Sequence, residues 1–348
     1  MSDARPTSAI ERASGSIWVL ALGYFLAYVP YALLTKAISS GSMPGAASVD
    51  GLALLPVTTG VSALGMLTFL GMSGLWRRAH RARVLGASVP MPGLATWISG
   101  ACTALIVITT TLAYTFDGTS IVTMMLLMRG GVLVLAPLVD AASRRRVRWY
   151  SWVALAISLG AVAAAVAPSG AELAVAGAAA LDAGIYLAAY FGRLRLMSGA
   201  AKRDRDANLR FFVEEQLVAT PLAMCALAAL ALLAPGQSGV ALTQGARDVL
   251  SGPVLGWAIA IGIFSQATGI FGALVLLDAR ENSFSVPVNR ASSVLAGVVA
   301  TVALAVLLDG AWPSGAEVAG AALVVVAILV LWLGPRLRAR TPRIADAS

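Results

Sequence analysis

Residues 126–138 read LLMRGGVLVLAPL, so Arg129 lies inside a run of leucine, methionine and valine. A second apolar run, VPVNRASSVLAGVV at residues 286–299, contains Arg290 in the same way. An arginine at the centre of a membrane helix costs about 2.5–3.5 kcal/mol on insertion scales. Both side chains should therefore face protein or water rather than lipid, which predicts a membrane protein with a polar interior.

The composition of the whole chain agrees with this interpretation. Of its 348 residues, 59% are hydrophobic and 12% are charged, and the mean hydropathy is +0.83. Soluble domains carry about 25% charged residues, and a bilayer-spanning helix needs about 20 apolar residues. We predict an all-α integral membrane protein with about ten transmembrane helices. The predicted spans are 16–38, 51–76, 94–114, 120–141, 150–166, 172–191, 211–233, 253–277, 283–308 and 316–333.

The net charge of +8 follows from topology under this prediction. Basic residues concentrate in alternate connections, for example residues 77–83 and 144–148, and we count Arg193 and Lys202 among the basic residues of one such connection. The positive-inside rule then places the amino and carboxyl termini in the cytoplasm. The preference for arginine over lysine, with abundant alanine, indicates a bacterium, so we expect a multi-pass protein of the bacterial inner (plasma) membrane. No nucleic-acid partner is expected.

Residue types that carry enzyme chemistry are scarce. The chain has two cysteines, Cys102 and Cys225, and one histidine, His80, which stands in the basic stretch RRAHRAR. These residues build neither a disulfide framework nor a zinc site, and a single histidine makes a catalytic triad improbable. The phosphate-binding pattern GxxxxGK is missing from the sequence. We therefore predict a protein that is not an enzyme and holds no cofactor or metal.

The two halves of the chain share a pattern. A shift of 161 positions brings Arg129 onto Arg290 and Asp117 onto Asp278. This spacing predicts an internal repeat of five helices, with one unit in residues 1–168 and the other in residues 169–348. Because five is odd, the second unit enters the membrane from the opposite side. Inverted repeats of this kind are typical of secondary transporters, whose substrates bind near the midplane between the repeats.

Several stretches resemble the drug/metabolite transporter superfamily, in its EamA-like and nucleotide-sugar-transporter-like branches. They are LLMRGGVLVLAPLVDAASRRRVRWYSWVALAISL, AALDAGIYLAAYFGRLRL, EVAGAALVVVAILVL and the end of the first span, YALLTKAI. The resemblance implies ten helices that arose by duplication of a five-helix unit. It also implies a role in transport and a candidate substrate-binding role for Lys36. This sequence departs from the family at GYFLAYVPY in the first span and at Arg290.

The intramembrane arginines are the main candidates for binding substrate. A guanidinium offers a planar fork of donors that suits phosphate or carboxylate, and the repeat would bring Arg129 and Arg290 together as an anion clamp. The alternative is an internal salt bridge that braces the helices. Tyrosines spaced by three or four residues offer a cavity face, or else simple packing, and Lys36 either binds substrate or extends to the interface. The predicted substrate-binding residues are Arg129, Arg290, Lys36, Tyr28, Tyr186 and Gln266.

Three carboxylates lie within or near predicted spans: Glu214, Glu215 and Asp182. Each is either a counter-ion for a buried arginine or a proton-coupling group. Adjacent residues on a helix point about 100° apart, so at most one of Glu214 and Glu215 faces a central pocket.

Taken together, these features predict a secondary transporter that moves a small polar organic metabolite across the membrane by alternating access. The paired arginines favour an anionic or phosphorylated solute. One alternative is an exporter of amino acids or amphiphilic drugs, and another is a non-transporting assembly subunit. The expected partners are the small-molecule substrate and membrane lipid, and the expected state is a monomer or a homodimer.

Overall fold

The computed structural model describes residues 16–45, 47–84, 87–112, 121–166, 177–202, 205–234, 236–310, 312–313 and 315–340. Within them the fold is built from ten long helices. These are α1 (Ile17–Ser39), α2 (Gly51–Met72), α3 (Leu94–Leu112), α4 (Ile121–Ala142), α5 (Trp149–Val166), α6 (Gly177–Leu196), α7 (Arg205–Leu233), α8 (Leu255–Leu276), α9 (Asn282–Leu308) and α10 (Gly315–Arg340).

Six of these helices are long and apolar enough to cross a membrane, among the residues that the structure describes. They are α1, α2, α7, α8, α9 and α10. Prolines inside several long helices fit this character, because neighbouring helices in a membrane satisfy the backbone groups that a proline leaves unpaired. Pro30 in α1 and Pro287 in α9 are examples. The protein is thus helical and membrane-like in its architecture.

The connection between α2 and α3 contains the main departure from the all-helical prediction. There β1 (Arg81–Val84) pairs antiparallel with β2 (Ala87–Pro90), and Arg81 lies opposite Pro90. The observed helix ends also differ from the predicted ones between the sixth and seventh spans. The sequence placed the end of one span at residue 191 and the start of the next at residue 211, whereas α6 continues to Leu196 and α7 begins at Arg205. Arg193 is therefore part of a helix.

Helix contacts follow a regular scheme. Helix α1 packs against α8 and α9, and α6 packs against α3 and α4. Helix α3 packs against α7, α8 packs against α2, α5 packs against α10, and α4 packs against α9. Each of these contacts has a counterpart in the same set when α1–α5 are exchanged with α6–α10. Asp117 and the predicted boundary between residues 168 and 169 lie outside the described residues.

Two glycines mark close approaches between helices in this scheme. A Cβ atom added at Gly100 of α3 would lie 2.6 Å from Cβ of Val218 in α7, and one added at Gly262 of α8 would lie 2.6 Å from Cβ of Val61 in α2. Small residues allow backbones to approach closely in membrane bundles, where no hydrophobic force drives helices together. The two contacts occupy corresponding places, since exchanging the first five helices with the last five maps one pair onto the other.

Candidate functional site

A cavity of about 350 Å³ lies among α1, α2, α3, α6, α7, α8 and α9. Much of its wall is polar, including Ser62, Thr103, Gln216, Gln266 and Asn289. Lining residues near the connection between α8 and α9, such as Gly272, Leu276 and Asn289, are buried, whereas Thr59, Thr220 and Met224 are partly exposed. The cavity is therefore closed at the α8–α9 end. Its size lies at the lower end of the range for small-molecule pockets, roughly 300–1,000 Å³.

Arg290 lines this cavity from α9, two turns from the start of that helix. Its guanidinium carbon lies 5.3 Å from the ring centroid of Tyr190 in α6. Its Nε and Nη2 atoms are buried and have no hydrogen-bond partner among the described residues. Buried donors in proteins are nearly always paired, and an unpaired buried charge is costly. The arrangement therefore leaves two charge-bearing donors available to a ligand.

Tyrosines from α1 and α6 surround both intramembrane arginines. Tyr24 and Tyr28 have ring centroids 5.6 Å apart, and Tyr186 and Tyr190 have centroids 4.8 Å apart. The predicted tyrosine faces therefore exist on both helices. Tyr24 and Tyr190 line the cavity, whereas the predicted Tyr28 and Tyr186 are not among its lining residues. Burial of an amphipathic ring with its hydroxyl near a cation combines packing with a polar contact.

Arg129 lies in a different setting from Arg290. It is partly buried in α4, and its Nη2 donates a hydrogen bond of 3.1 Å to the hydroxyl of Tyr28. Tyr24 and Tyr186 are each within electrostatic range of both guanidinium groups. Tyr24 and Tyr186 thus lie near both arginines, but of the two arginines Arg290 alone is among the described residues that line the cavity.

A third buried arginine was not expected from the sequence, in which Arg193 was counted among the basic residues of a connection between two spans. Arg193 is 6% exposed and lines the cavity. Its Nε and Nη2 donate to the two carboxylate oxygens of Glu215 at 2.8 and 2.9 Å. The available signal was helical spacing, because residues 186, 190 and 193 recur at four and three positions and so share one face of α6.

The neighbouring glutamates have separate roles. Glu215 also accepts hydrogen bonds from the hydroxyls of Ser99 and Thr103 in α3. Glu214 points instead to the α2–α3 connection, where it accepts hydrogen bonds from four donor groups. These are the backbone N–H groups of His80 and Gly93, the hydroxyl of Thr96 and Nδ1 of His80. The two carboxylates thus have different partners, and neither glutamate is among the described residues that line the cavity. The counter-ion interpretation fits Glu215, but its partner is Arg193 rather than Arg129 or Arg290.

The remaining predicted residues divide between the cavity and other places. Gln266 lines the cavity, where its Oε1 accepts a 2.8 Å hydrogen bond from Ser62. Lys36 is exposed at the end of α1 and is not among the lining residues. Asp182 is buried in α6 away from the lining set, and its Oδ2 has no hydrogen-bond partner among the described residues.

The closed end of the cavity is held by Asp140, the last acidic residue of α4. Its Oδ1 accepts 2.8 Å hydrogen bonds from the backbone N–H and the side-chain amide of Asn282. Its Oδ2 accepts 2.7 Å hydrogen bonds from the backbone N–H and the hydroxyl of Ser283. The first N–H groups of a helix have no partner within it and carry partial positive charge. Asp140 therefore caps α9, the helix that carries Arg290, from a separate helix.

Further polar contacts join the same end, which we call the α4–α9 junction: Asp140, Ser151, Lys202, and residues 280–283 and 285. Glu281 accepts a 2.9 Å hydrogen bond from Ser151 and lies 3.5 Å from Nη1 of Arg148. Nζ of Lys202 donates to the carbonyl of Arg280 at 3.1 Å and to the hydroxyl of Ser285 at 3.2 Å. Lys202 is 7% exposed, so it is buried although it belongs to the connection between α6 and α7. Side chains from several helices thus join one another at the end of the bundle where lining residues of the cavity are buried.

Lys202 should make the stability of the protein depend on pH. Burial and the nearby charge of Arg145 lower the pKa of its amine from 10.5 to about 7, although Asp140, Asp278 and Glu281 act in the opposite direction. Between about pH 7 and pH 10.5 the unfolded chain then binds a proton that the folded protein has released, so stability rises with pH across this window. We expect the Lys202→Met variant to lack this contribution to the increase of stability with pH.

The measurement is thermal unfolding in detergent at a series of pH values from 6 to 10, for the original protein and for two variants. Lys36→Met is the matched control, because it removes the other lysine of the chain from an exposed position. Curves for Lys202→Met that run parallel to those of the original protein would contradict the assignment of the shift to Lys202.

Comparison with known proteins adds information on the fold. No family model matches the chain, and no curated protein matches it. One solved structure, described only as "Crystal structure of protein", superposes with a TM-score of 0.57 at 16% sequence identity. The match covers 94% of this chain and 99% of that chain. The whole chain is therefore similar in fold to a protein whose structure has been solved.

Proposed function

We propose that this chain is a secondary transporter of the bacterial plasma membrane that moves a small polar organic anion by alternating access. All ten long helices cross the membrane in this proposal, and both termini lie in the cytoplasm. The substrate binds in the cavity beside Arg290. The sequence resemblance to the drug/metabolite transporter superfamily is consistent with this assignment.

One observation carries the proposal. Arg290 presents two buried donor atoms without a protein acceptor at the wall of a polar cavity. A charged group within a membrane span is expensive and commonly marks a substrate or ion pathway. An arginine with a purely structural role would donate these hydrogen bonds to protein acceptors, as Arg193 does to Glu215. The free donors favour a ligand as the missing acceptor.

The pattern of helix contacts supports the proposed mechanism. Exchange of α1–α5 with α6–α10 maps the main contacts onto one another, as expected for two related five-helix units. An odd number of spans inserts the second unit upside down, which is the plan of many secondary transporters. Under the proposed topology the α4–α9 junction lies on the cytoplasmic side. The cavity is then closed towards the cytoplasm in this state, and transport requires the junction to open.

Reconstitution tests the transport activity directly. The purified protein is placed in liposomes, and counterflow is measured with labelled organic acids, sugar phosphates, nucleotide sugars and amino acids, with and without a pH gradient. We expect saturable counterflow of an anionic class. If no class exchanges and the protein purifies only with a stable partner, the transporter proposal is wrong and an assembly role is favoured.

Replacement of Arg290 by glutamine should weaken substrate binding without lowering the stability of the folded protein. A bidentate, charge-assisted interaction contributes about 1.5–3 kcal/mol, so we expect substrate affinity to fall at least tenfold. The melting temperature should stay unchanged or rise, because the variant removes a buried charge whose Nε and Nη2 have no protein acceptor. Counterflow and thermal unfolding of the same preparation provide the two measurements.

Lys36→Gln is the control for this experiment, since it removes one positive charge from the exposed end of α1. It should leave both transport and stability unchanged. Full transport by Arg290→Gln, or a large loss of stability without a change in affinity, would show that Arg290 braces the helices instead of binding substrate.

A further inference from the structure

The charges at the cavity wall limit the class of substrate that the cavity can bind. This inference rests on the proposed transport function. Of the described residues that line the cavity, the charged ones are Arg193 and Arg290, and none is acidic. Arg193 is neutralised by its bidentate contact with Glu215. The wall therefore carries one uncompensated positive charge, that of Arg290. A ligand with a single negative charge would neutralise it.

An ammonium group would find no carboxylate acceptor among the described residues that line this cavity. An ionised carboxylate has about four lone-pair sites, and Glu215 already accepts hydrogen bonds from Ser99, Thr103 and two nitrogens of Arg193. Glu214 is occupied by donors of the α2–α3 connection, and Asp182 is not a lining residue. An ammonium that leaves water without such a partner pays a large desolvation cost.

The free donors of Arg290 define the shape of the anion. Nε and Nη2 lie along one edge of the guanidinium plane, and their N–H bonds run parallel, which matches the two oxygens of a carboxylate. Tyr190 lies against the guanidinium at 5.3 Å, so the anion approaches along the free edge. The rest of the nearby wall offers hydroxyl and amide groups at Ser62, Gln266 and Asn289. These groups suit hydroxyl or carbonyl oxygens on the ligand.

We propose that the cavity selects a small organic acid with one carboxylate and with hydroxyl or carbonyl groups, and that it rejects the amino acid of the same carbon skeleton. Arg290 binds the carboxylate through Nε and Nη2 and thereby determines the specificity. Nucleotide sugars are disfavoured as well, because their diphosphate brings at least two negative charges to a small cavity whose described lining residues carry one uncompensated cation.

Matched pairs of compounds test this selectivity in reconstituted protein. Counterflow and thermal-shift titrations use 3-phenyllactate against phenylalanine, lactate against alanine and gluconate against its 2-amino-2-deoxy analogue, each with the corresponding uncharged primary amide. We expect every hydroxy acid that binds to do so at least tenfold more tightly than its amino acid and its amide. Arg290→Lys, which keeps the charge but loses the fork, should reduce this preference at least tenfold, whereas Lys36→Gln should preserve it.

Each other outcome has a distinct meaning. Amino acids that bind as tightly as hydroxy acids would overturn the selectivity while leaving the transporter proposal intact. Equal binding of the uncharged amides would overturn carboxylate recognition by Arg290. Tighter binding of sugar phosphates or nucleotide sugars would replace the monocarboxylate with a multiply charged anion. Failure of all organic solutes to exchange would contradict the transport function itself.

Discussion

Replacement of Glu215 by glutamine should destabilise the folded protein by about 3–5 kcal/mol, because it leaves the charge of Arg193 buried without its partner. Both side chains are almost fully buried, at 7% and 0% exposure for Arg193 and Glu215. Glutamine retains one acceptor oxygen, but its amide nitrogen would meet a donor of Arg193 or a hydroxyl of α3. Chemical or thermal unfolding in detergent measures the loss.

Glu214→Gln is the matched control, since the same substitution is made one residue away on the same helix. Glu214 also accepts four hydrogen bonds, but its partners are backbone N–H groups, a threonine hydroxyl and the exposed His80. Glu214→Gln leaves no buried full charge without a partner, so the loss of folding stability should be only about 1–2 kcal/mol. Equal losses of stability for Glu214→Gln and Glu215→Gln would contradict the assignment of the larger loss to the buried ion pair.

A double replacement gives a second, independent measurement on the same pair. Apolar residues of similar volume often substitute for a buried ion pair at little cost. Arg193→Met combined with Glu215→Leu should therefore recover most of the stability lost in Glu215→Gln. If the recovered protein also transports normally, Arg193 serves only to join α6 to α7 and has no part in substrate binding.

Replacement of Asp140 by alanine should also cost roughly 3–5 kcal/mol, because four buried donors lose their acceptor at once. Two of them are the first N–H groups of α9, whose partial positive charge an acidic cap stabilises. Asp140→Asn should lose less, since one oxygen can still accept the hydrogen bonds from Asn282 while the amide nitrogen faces the donors of Ser283. Thermal unfolding of the two variants measures the difference.

Asp309→Asn provides the control for this series at the opposite end of α9. Asp309 has a φ of 49°, a left-handed conformation that asparagine also adopts readily, so the substitution should be nearly neutral. Asp140→Ala should in addition increase labelling of a cysteine placed at Ser285, because this residue is buried at the α4–α9 junction. A variant as stable as the original protein, with no change in labelling, would show that the junction does not hold the cavity closed.

The sequence predicted well what depends on local pattern. Seven of the ten predicted spans agree with observed long helices to within four residues at both ends, and the other three, at α6, α7 and α10, differ by five to seven residues at one end or both. Tyrosines spaced by four residues were expected to share a face, and their rings are in contact in α1 and α6. The 100° rotation between successive helical residues correctly separated Glu214 from Glu215. These features follow from helix geometry, which a single segment already contains.

The side-chain contacts between different helices were much harder to predict from the sequence. Glu215 is bound by Arg193 from α6, and Asp140 of α4 caps α9 across 142 positions of sequence. Arg193 and Lys202 looked like ordinary solvated cations in basic stretches, yet both are buried. The hairpin between α2 and α3 was missed because each of its four-residue strands contains only one β-branched residue, Val84 or Val89.

The amino-acid sequence by itself determined that the chain is apolar, helical and membrane-like, and that it carries cations where water is scarce, because hydropathy, helical period and the cost of burying charge act on each segment separately. Only the tertiary structure decided which cation is neutralised and which remains free, since that depends on which carboxylates neighbouring helices bring within about 3 Å. Arg129 meets a tyrosine hydroxyl, Arg193 meets Glu215, and Arg290 faces the cavity with two unpaired donors.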